Sequence, residues 1–217
     1  MTIKGLIFDL DGVLTDTAEY HYLSWKQLAE EEGIPFTRQD NEALRSVDRR
    51  ESLRRLLKGR AVSEAVAQDY MARKNHYFHA YMAQMTPDHR EPGVTAFLED
   101  ARASGYAMAV ASASRNAKPV LEKLDLTEYF TAIGDGYTVA NTKPAPDLLL
   151  WAAGSMTLHF NEVIVLEDAE AGITAAHNAG MRVVGIGEAE VQQAHLVLSS
   201  LVGITITEVI DRLPPVE

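Results

Sequence analysis

The sequence predicts an α/β protein in which a doubly wound parallel sheet forms the core and a small helical cap domain is inserted into it. Short apolar runs alternate with segments of helical length along residues 1–15 and 90–217, a pattern typical of a parallel sheet covered on both faces. Residues 16–89 show helical periodicity alone. We therefore expect 1–15 and 90–217 to form the core domain and 16–89 to form the cap domain.

The first strand is predicted over Gly5–Phe8, a short apolar run bounded by polar residues. Asp9 and Asp11 follow it, and Gly12 allows the chain to turn sharply there. Side chains at i and i+2 of an extended segment point the same way, so the two carboxylates should face one crevice. Ligands of open α/β sheets bind outside the carboxyl ends of the strands. On their own, two such aspartates could also form a solvated turn.

The inserted segment contains three stretches of helical pattern. A helix is expected over 18–32, two short helical pieces over 41–57 and a long helix over 63–85. The connections near 14–17 and 86–92 join this segment to the core. We expect these connections to act as hinges.

The remainder of the chain returns to alternating strands and helices. The expected strands lie at 106–114, 131–136, 161–169 and 181–187, the helices at 92–105, 117–126, 145–156 and 171–180, and a final strand or turn and helix in 204–217. Such alternation predicts parallel pairing with helices on both faces.

Polar side chains follow three of these strands. Ser112 lies at the end of the second strand, after AMAVA, Lys143 follows the third strand, and Glu167 with Asp168 lies at the end of the fourth, after VIVL. Taken singly, the serine could cap a helix, the lysine could be a solvated charge and the acids could sit at a helix N-terminus. Their joint occurrence with the first aspartates favours a site at the carboxyl edge of the sheet.

Composition excludes several functional classes. The chain has 217 residues, and its 31 acidic against 20 basic residues give a net charge of −11, which argues against a sequence-independent nucleic-acid binder. The absence of cysteine excludes disulfides, thiolate catalysis and cysteine metal sites, and fits a reducing cytosol. No signal pattern and no apolar stretch of about 20 residues is present, so a cytoplasmic location is expected.

The segment DLDGVLTDT at residues 9–17 resembles the opening motif DxDGxxxDT of the haloacid dehalogenase-like phosphotransferases. The other strand-end groups resemble the remaining three motifs of that superfamily, in the same order. The resemblance implies a Rossmann-like core, Mg²⁺ as cofactor and phosphoryl transfer with Asp9 as nucleophile. It implies Asp11 as general acid/base. Family members that act as ATPases carry threonine at this second position, so Asp11 favours phosphatase or mutase chemistry.

The resemblance also implies how the metal and the transferring phosphate are held. The expected ligands of the ion are Asp9, Asp168, Glu167, directly or through water, and the backbone carbonyl of Asp11. Lys143 would neutralise phosphoryl oxygens. Ser112 would donate a hydrogen bond to one of them, assisted by the backbone N–H of Ala113.

Within this family the chain is most similar to the β-phosphoglucomutase branch. TDTAEYHYLSW resembles the hinge segment TDTAxxHxxAW of that branch, which implies that Thr17 and His21 assist Asp11. ASASRNA, NTKPAPD and VLEDAEAGI resemble its phosphate, lysine and metal loops. The expected reaction interconverts β-D-glucose 1-phosphate and glucose 6-phosphate through an aspartyl-phosphate and a sugar bisphosphate.

A bisphosphate needs a second phosphate site, for which Arg49 in the cap and Arg115 with Asn116 in the core are the candidates. The full set of expected substrate-binding residues is Trp25, Arg45, Ser46, Val47, Asp48, Arg49, Ser52, Lys74, Ser112, Ala113, Ser114, Arg115, Asn116 and Lys143. Several have plainer interpretations: Arg49 as a surface charge, Lys74 as a helix-surface lysine and Trp25 as cap core.

One departure from the branch pattern concerns specificity. Where the pattern reads Leu-Lys-Gly, this chain reads Leu44-Arg45-Ser46, followed by Val47 and Asp48. Arginine keeps the charge but changes the hydrogen-bonding shape, and serine lacks the backbone freedom of glycine. The identity of the sugar therefore stays open.

Two alternatives to the mutase remain at this stage. A sugar-phosphate phosphatase would use the same core residues with water as the acceptor. A non-enzymatic binding protein would have no use for a nucleophile and an acid. The expected partners are a small phosphosugar and its bisphosphate intermediate, with neither nucleic acid nor membrane, and a monomer is expected.

Overall fold

The computed structural model describes residues 2–44, 49–187 and 191–214. The predicted substrate residues Arg45, Ser46, Val47 and Asp48 lie outside the described residues. The chain divides into two compact units, one formed by Met1–Asp16 with Pro87–Glu217 and the other by Thr17–Thr86. We call them the sheet unit and the helical unit, and each is described by itself.

A single six-stranded sheet organises the sheet unit. The strands are β1 Gly5–Phe8, β2 Ala107–Ala111, β3 Ala132–Gly134, β4 Val163–Glu167, β5 Arg182–Ile186 and β6 Leu196–Leu198. They are all parallel, in the order β3-β2-β1-β4-β5-β6. The strand order reverses beside β1, and such a switch point leaves a crevice at the carboxyl edge of the sheet.

Five helices accompany the strands in the described part of this unit. They are α5 Val94–Ala103, α6 Ala117–Lys123, α7 Asp147–Ser155, α8 Glu170–Asn178 and α9 Ile206–Arg212. Every residue of β1 and β4 is buried, as expected for strands covered on both faces. The predicted fold class, a doubly wound parallel sheet with helices, is confirmed.

The element that the sequence did not predict is β6. It has three residues, which are too few to show a strand period. It joins the edge of the sheet by pairing with β5. The C-terminal segment forms a turn and α9, not a further strand.

The helical unit contains α1 Ala18–Glu31, α2 Arg38–Glu42, α3 Arg49–Leu56 and α4 Glu64–Met82. Side-chain caps set the starts of α2 and α4: Thr37 forms a capping box with Asp40, and the Ser63 hydroxyl accepts the Val66 N–H. The apolar faces of α1, α3 and α4 form one buried cluster, which includes Trp25. Within the described residues, no helix combines the length and the apolar character that crossing a membrane requires.

The two chain segments next to the insert are hydrogen-bonded to each other inside the sheet unit. The Thr15 hydroxyl donates to the His89 carbonyl at 2.6 Å, and the Glu91 N–H donates to the Leu14 carbonyl at 2.9 Å. The Arg90 guanidinium donates to the Leu124 carbonyl at 2.7 Å, at the end of α6. Both ends of the insertion are therefore fixed side by side on the sheet unit.

Candidate active site

Three carboxylates meet at the carboxyl edge of the sheet. Asp9 follows β1, Glu167 ends β4 and Asp168 comes next, and ligand oxygens of the three lie within 4.8 Å of one another. The parallel register explains the meeting, since Phe8 of β1 lies opposite Leu166 of β4. Glu167 is only 2% exposed and Asp9 8%. The strand pairing thus concentrates negative charge in a place that is largely withdrawn from water.

Lys143 bridges two of these carboxylates. Its Nζ lies 2.5 Å from Asp9 Oδ1 and 2.6 Å from Glu167 Oε2. Burial opposes the charged form of this lysine, but the attraction of Asp9 and Glu167 outweighs it and raises the pKa of Lys143. The ammonium is therefore a permanent positive charge beside Asp9 near neutral pH.

One ammonium does not balance the cluster. Burial raises the pKa of Glu167 to about 7, against the lowering effect of Lys143. Burial, followed by the charges of Asp9, Glu167 and Asp11, raises the pKa of Asp168 to about 8. Burial thus makes both carboxyl groups resist ionisation, and a divalent cation beside them would favour their ionised forms. An oxygen donor set of this kind fits a hard cation such as Mg²⁺.

Magnesium should therefore stabilise the protein more at pH 8 than at pH 6. The folded pKa values of Glu167 and Asp168 lie above their ordinary values, so the folded protein favours the protonated carboxyls. The stability that this contributes is lost as pH rises through about 7 for Glu167 and about 8 for Asp168. A bound cation offsets that loss. At a hundredfold excess over Kd it should contribute about 2.7 kcal/mol, visible as a higher Tm.

The measurement is the Tm with Mg²⁺ minus the Tm with chelator at each pH. Groups that titrate elsewhere in the protein affect both values equally, so their effect cancels in the difference. Asp168→Asn should lose most of the difference, whereas Asp211→Asn, on the exposed side of α9, should keep it. An equal Mg²⁺ effect at both pH values, or a full effect in Asp168→Asn, would contradict a metal site in this cluster.

Two glycines leave room for the carboxylates of Glu167 and Asp168. A Cβ on Gly172 in α8 would lie 1.9 Å from Glu167 Oε2, and one on Gly12 would lie 2.0 Å from Asp168 Oδ2. Gly12 also has a φ of +80°, which favours glycine. The turn at Gly12 was predicted from the sequence, but the contact of Gly172 was not. Its only sequence signal is a glycine inside a helical pattern, which often has a packing reason.

Gly172→Ala should lower activity by about 10²-fold, because the added methyl group displaces the Glu167 carboxylate from Lys143. Gly154→Ala is the matched control, since this glycine is also helical and its Cβ would meet nothing within 4 Å. The control should keep activity and gain up to about 1 kcal/mol of stability, as alanine favours helices. Steady-state rates and thermal unfolding of both variants test this, and equal activities would show that Glu167 tolerates displacement.

The loop after β2 is ordered by its own hydroxyl groups. The buried Ser112 accepts the Ser114 N–H on its Oγ at 3.1 Å, and Ser114 Oγ accepts the Asn116 N–H at 3.2 Å. The Ser112 N–H donates to the Gly134 carbonyl of β3 at 3.1 Å. These bonds fix the backbone of Ala113 between two anchored serines. The hydroxyl of Ser112 has a proton to donate outward while its oxygen accepts from Ser114.

In the helical unit, His21 and Lys74 form a hydrogen-bonded pair. Lys74 Nζ lies 2.7 Å from His21 Nδ1, and an ammonium can only donate, so Nδ1 is the acceptor. Burial, with the charges of Lys74 and Arg49, lowers the pKa of His21 well below its usual value. The imidazole is therefore neutral near pH 7, with its proton on Nε2.

Lys74 is enclosed by aromatic rings. Its Nζ lies 5.3 Å from the Trp25 centroid and 4.9 Å from the Phe78 centroid, and the residue is 1% exposed. The interpretation of Lys74 as a surface lysine is therefore wrong. Arg49, at the start of α3, donates to Asn75 Oδ1 at 2.8 Å, next to Lys74 on α4.

The other arginines of α3 form ion pairs at the surface. Arg54 and Arg55 pair with Glu51, and Arg50 pairs with Glu64, all at the surface. Thr17 and Ser52 are buried in the helical unit.

The predicted site residues that the structure describes fall into one set for each unit. The sheet unit contains Asp9, Asp11, Ser112, Ala113, Ser114, Arg115, Asn116, Lys143, Glu167 and Asp168, and the helical unit contains Thr17, His21, Trp25, Arg49, Ser52 and Lys74. Lys143 contacts Asp9 and Glu167, whose ligand oxygens lie within 4.8 Å of one another and of Asp168. In the helical unit, Lys74 contacts His21 and lies over the Trp25 ring.

Comparison with known proteins agrees with this arrangement. The chain matches the family model of haloacid dehalogenase-like hydrolases over residues 6–186. It is 41% identical over 192 residues to a β-phosphoglucomutase of Bacillus subtilis (strain 168), covering 87% of this chain and 85% of that protein. It is 28% identical over 187 residues to a phosphorylated carbohydrates phosphatase of Thermotoga maritima, covering 85% of each. The crystal structure of β-phosphoglucomutase from Clostridium difficile superposes with a TM-score of 0.92 at 34% identity, covering 97% of both chains.

Proposed function

We infer the function from a premise that the comparisons establish: this chain belongs to the haloacid dehalogenase-like hydrolase family. Within that family we propose that it is a phosphosugar mutase, interconverting β-D-glucose 1-phosphate and glucose 6-phosphate through an aspartyl-phosphate. The observation that carries the proposal is the Lys143 bridge between Asp9 and Glu167 at the end of β1. The 41% identity to a β-phosphoglucomutase supports a mutase over other reactions of the family.

Asp9 is proposed as the nucleophile. Its free carboxylate oxygen attacks phosphorus, a new oxygen–phosphorus bond forms, and the bond from phosphorus to the sugar oxygen breaks. Anionic carboxylate and anionic phosphate repel each other, and the fixed Lys143 ammonium offsets this repulsion. Asp9, Glu167 and Asp168 would hold Mg²⁺, which supplies the remaining positive charge for the transferring group.

Asp11 is proposed as the general acid and base. It donates a proton to the departing sugar oxygen, and in the reverse transfer it accepts the proton of the attacking hydroxyl. Its charge already raises the pKa of Asp168, which supports its position beside the cluster. Ser112 would donate to a phosphoryl oxygen. Its loop is held by backbone bonds that leave the hydroxyl proton for this use.

A mutase must return the second phosphate of the bisphosphate to Asp9, so its substrate carries a phosphate at each end. Arg49 and Arg115 are the proposed ligands of the phosphate that is not being transferred. In the helical unit, the neutral His21, held by Lys74, would assist proton transfer with Thr17. A phosphatase, such as the Thermotoga relative, needs neither feature.

The proposal is tested with β-glucose 1-phosphate, Mg²⁺ and a trace of glucose 1,6-bisphosphate, reading glucose 6-phosphate and free phosphate in one reaction. Glucose 6-phosphate with little free phosphate would support the mutase. Free phosphate without isomerisation would make the protein a phosphatase and overturn the proposal. Omitting the bisphosphate provides the control, since the first phosphorylation of Asp9 should then be slow.

A further inference from the structure

Arg115 is stacked on an exposed tyrosine at the carboxyl edge of the sheet. Its Cζ lies 4.7 Å from the ring centroid of Tyr137, and Tyr137 is 67% exposed. Arg115 is in the loop after β2 and Tyr137 in the loop after β3. These strands are parallel neighbours, so both loops leave the sheet at the edge where Asp9 follows β1. A tyrosine exposed to this extent contributes little to the core, and its notable feature is the arginine that lies over its ring.

The turn that presents Tyr137 is built by a buried carboxylate. Asp135 Oδ1 accepts the Tyr137 N–H at 2.9 Å and the Thr138 hydroxyl at 3.2 Å. The Asp135 N–H donates in return to Thr138 Oγ1 at 2.9 Å. Such aspartate turns hold the backbone locally. The tyrosine backbone is therefore fixed although its ring faces solvent.

Gly136 ties this turn to the loop that carries Arg115. Its N–H donates to the Ser114 carbonyl at 3.1 Å. A Cβ at this glycine would lie 2.6 Å from the Ala113 carbonyl oxygen and 2.9 Å from Arg115 Cγ. The two loops approach so closely only because residue 136 has no side chain. The loops that carry Arg115 and Tyr137 are therefore fixed to each other.

Stacking leaves the guanidinium available to a ligand. Among the residues that the structure describes, the Arg115 side chain takes part in no ion pair or hydrogen bond. By contrast, Arg38 and Arg73 are engaged by carboxylates. The Arg115 Cζ lies over the Tyr137 ring, and a guanidinium that stacks on an aromatic ring keeps its in-plane N–H donors for other partners. Such an arginine loses less freedom when it grips a phosphate in a bidentate manner.

We propose that Tyr137 is a positioning residue that holds the Arg115 guanidinium for the phosphate that is not being transferred. This inference rests on the proposed function, because only a bisphosphate places a second phosphate in the site. Tyr137 acts through Arg115 and does not itself touch the reacting atoms. The sugar bisphosphate is the ligand whose affinity the pair would set.

The test uses an Asp9→Asn background, which binds without turnover, and measures the affinity for glucose 1,6-bisphosphate with Mg²⁺ by calorimetry. Tyr137→Ala should weaken binding by roughly 5- to 30-fold, the range for a cation–π contact that a ligand desolvates. Tyr137→Phe keeps the ring and should stay within about twofold of the parent. Tyr129→Ala removes the ring beneath Arg102, a similar pair that precedes β3, and should have no effect.

A double variant separates positioning from a structural role. In Arg115→Gln protein, Tyr137→Ala should cause no further loss, because the tyrosine has nothing left to position. The inference is overturned if Tyr137→Ala binds like the parent, or if its loss persists in Arg115→Gln. If the Asp9→Asn parent itself binds the bisphosphate no more tightly than inorganic phosphate, the two-phosphate site fails, and with it the mutase. Tight parental binding that Tyr137→Ala leaves unchanged contradicts the role of Tyr137 alone.

Discussion

Asp9→Asn should abolish turnover, with a loss of at least about 10⁴-fold in the rate of product formation. An amide oxygen is a poor nucleophile and cannot form the aspartyl-phosphate that both half-reactions share. The measurement is the rate of glucose 6-phosphate and free phosphate release over hours, at enzyme concentrations high enough to detect such a loss. Retained turnover would remove the nucleophile assignment.

This variant should remain folded, so that the loss can be assigned to chemistry. Asparagine still accepts a hydrogen bond from Lys143, and removing one charge relieves the repulsion that raises the pKa values of Glu167 and Asp168. Asp211→Asn makes the same chemical change at an exposed position of α9 and serves as the matched control. Its turnover and Tm should equal those of the parent.

Asp11→Asn should slow turnover by about 10²–10⁴-fold while Mg²⁺ binding is retained. The carboxyl is needed to move a proton to or from the sugar oxygen, whereas the metal ligand proposed at this residue is its backbone carbonyl. Rates from the coupled assay and Mg²⁺ affinity from calorimetry separate the two roles. A loss of Mg²⁺ affinity comparable to that of Asp168→Asn would contradict the backbone-ligand role.

A phosphate ester whose leaving group needs no protonation provides a sharper check on the same residue. Asp11→Asn should transfer phosphate from an activated aryl phosphate to Asp9 at nearly the parental rate. Equal slowing with sugar and aryl phosphates would mean that Asp11 acts on something other than the leaving oxygen.

The carboxyl edge of the sheet could be predicted because the signals lie along the chain. The apolar run before Asp9 and the one before Glu167 each specify a buried strand, and parallel pairing then forces their ends together. The position of Lys143 at this edge was predicted as well, but its bridge to Asp9 and Glu167 was not, because the strand pairing leaves the loop after β3 unspecified. The motif resemblance supplied the roles, which the geometry accommodates but which remain proposals.

What sequence reasoning missed depends on contacts that the helix and strand periods do not encode. Lys74 lies four residues after Tyr70 and four before Phe78, on the buried face of α4, but only the approach of Trp25 from α1 shows how the ammonium is enclosed. Gly172 has no side chain and so leaves room for the Glu167 carboxylate, five residues earlier. The turn between β4 and α8 brings the two together. Local periodicity carries no information about such approaches.

The loop after β3 shows the same limit in another form. Residues 131–136 were expected as a strand, and the structure ends β3 at Gly134, where Asp135 begins a turn. The aspartate and glycine are turn residues, but only the approach of the Arg115 loop explains why a glycine and then an exposed tyrosine follow. Sequence spacing alone could not join positions 115 and 137.

The central claim is that phosphate moves through Asp9 from one sugar to the next, and a single-turnover label experiment tests it most directly. The enzyme is first phosphorylated with unlabelled glucose 1,6-bisphosphate and then mixed with β-glucose 1-phosphate whose phosphate is radiolabelled. The mutase account predicts unlabelled glucose 6-phosphate, with the label left on Asp9 of the protein. Labelled free phosphate, or glucose 6-phosphate that carries the label after one turnover, would contradict it.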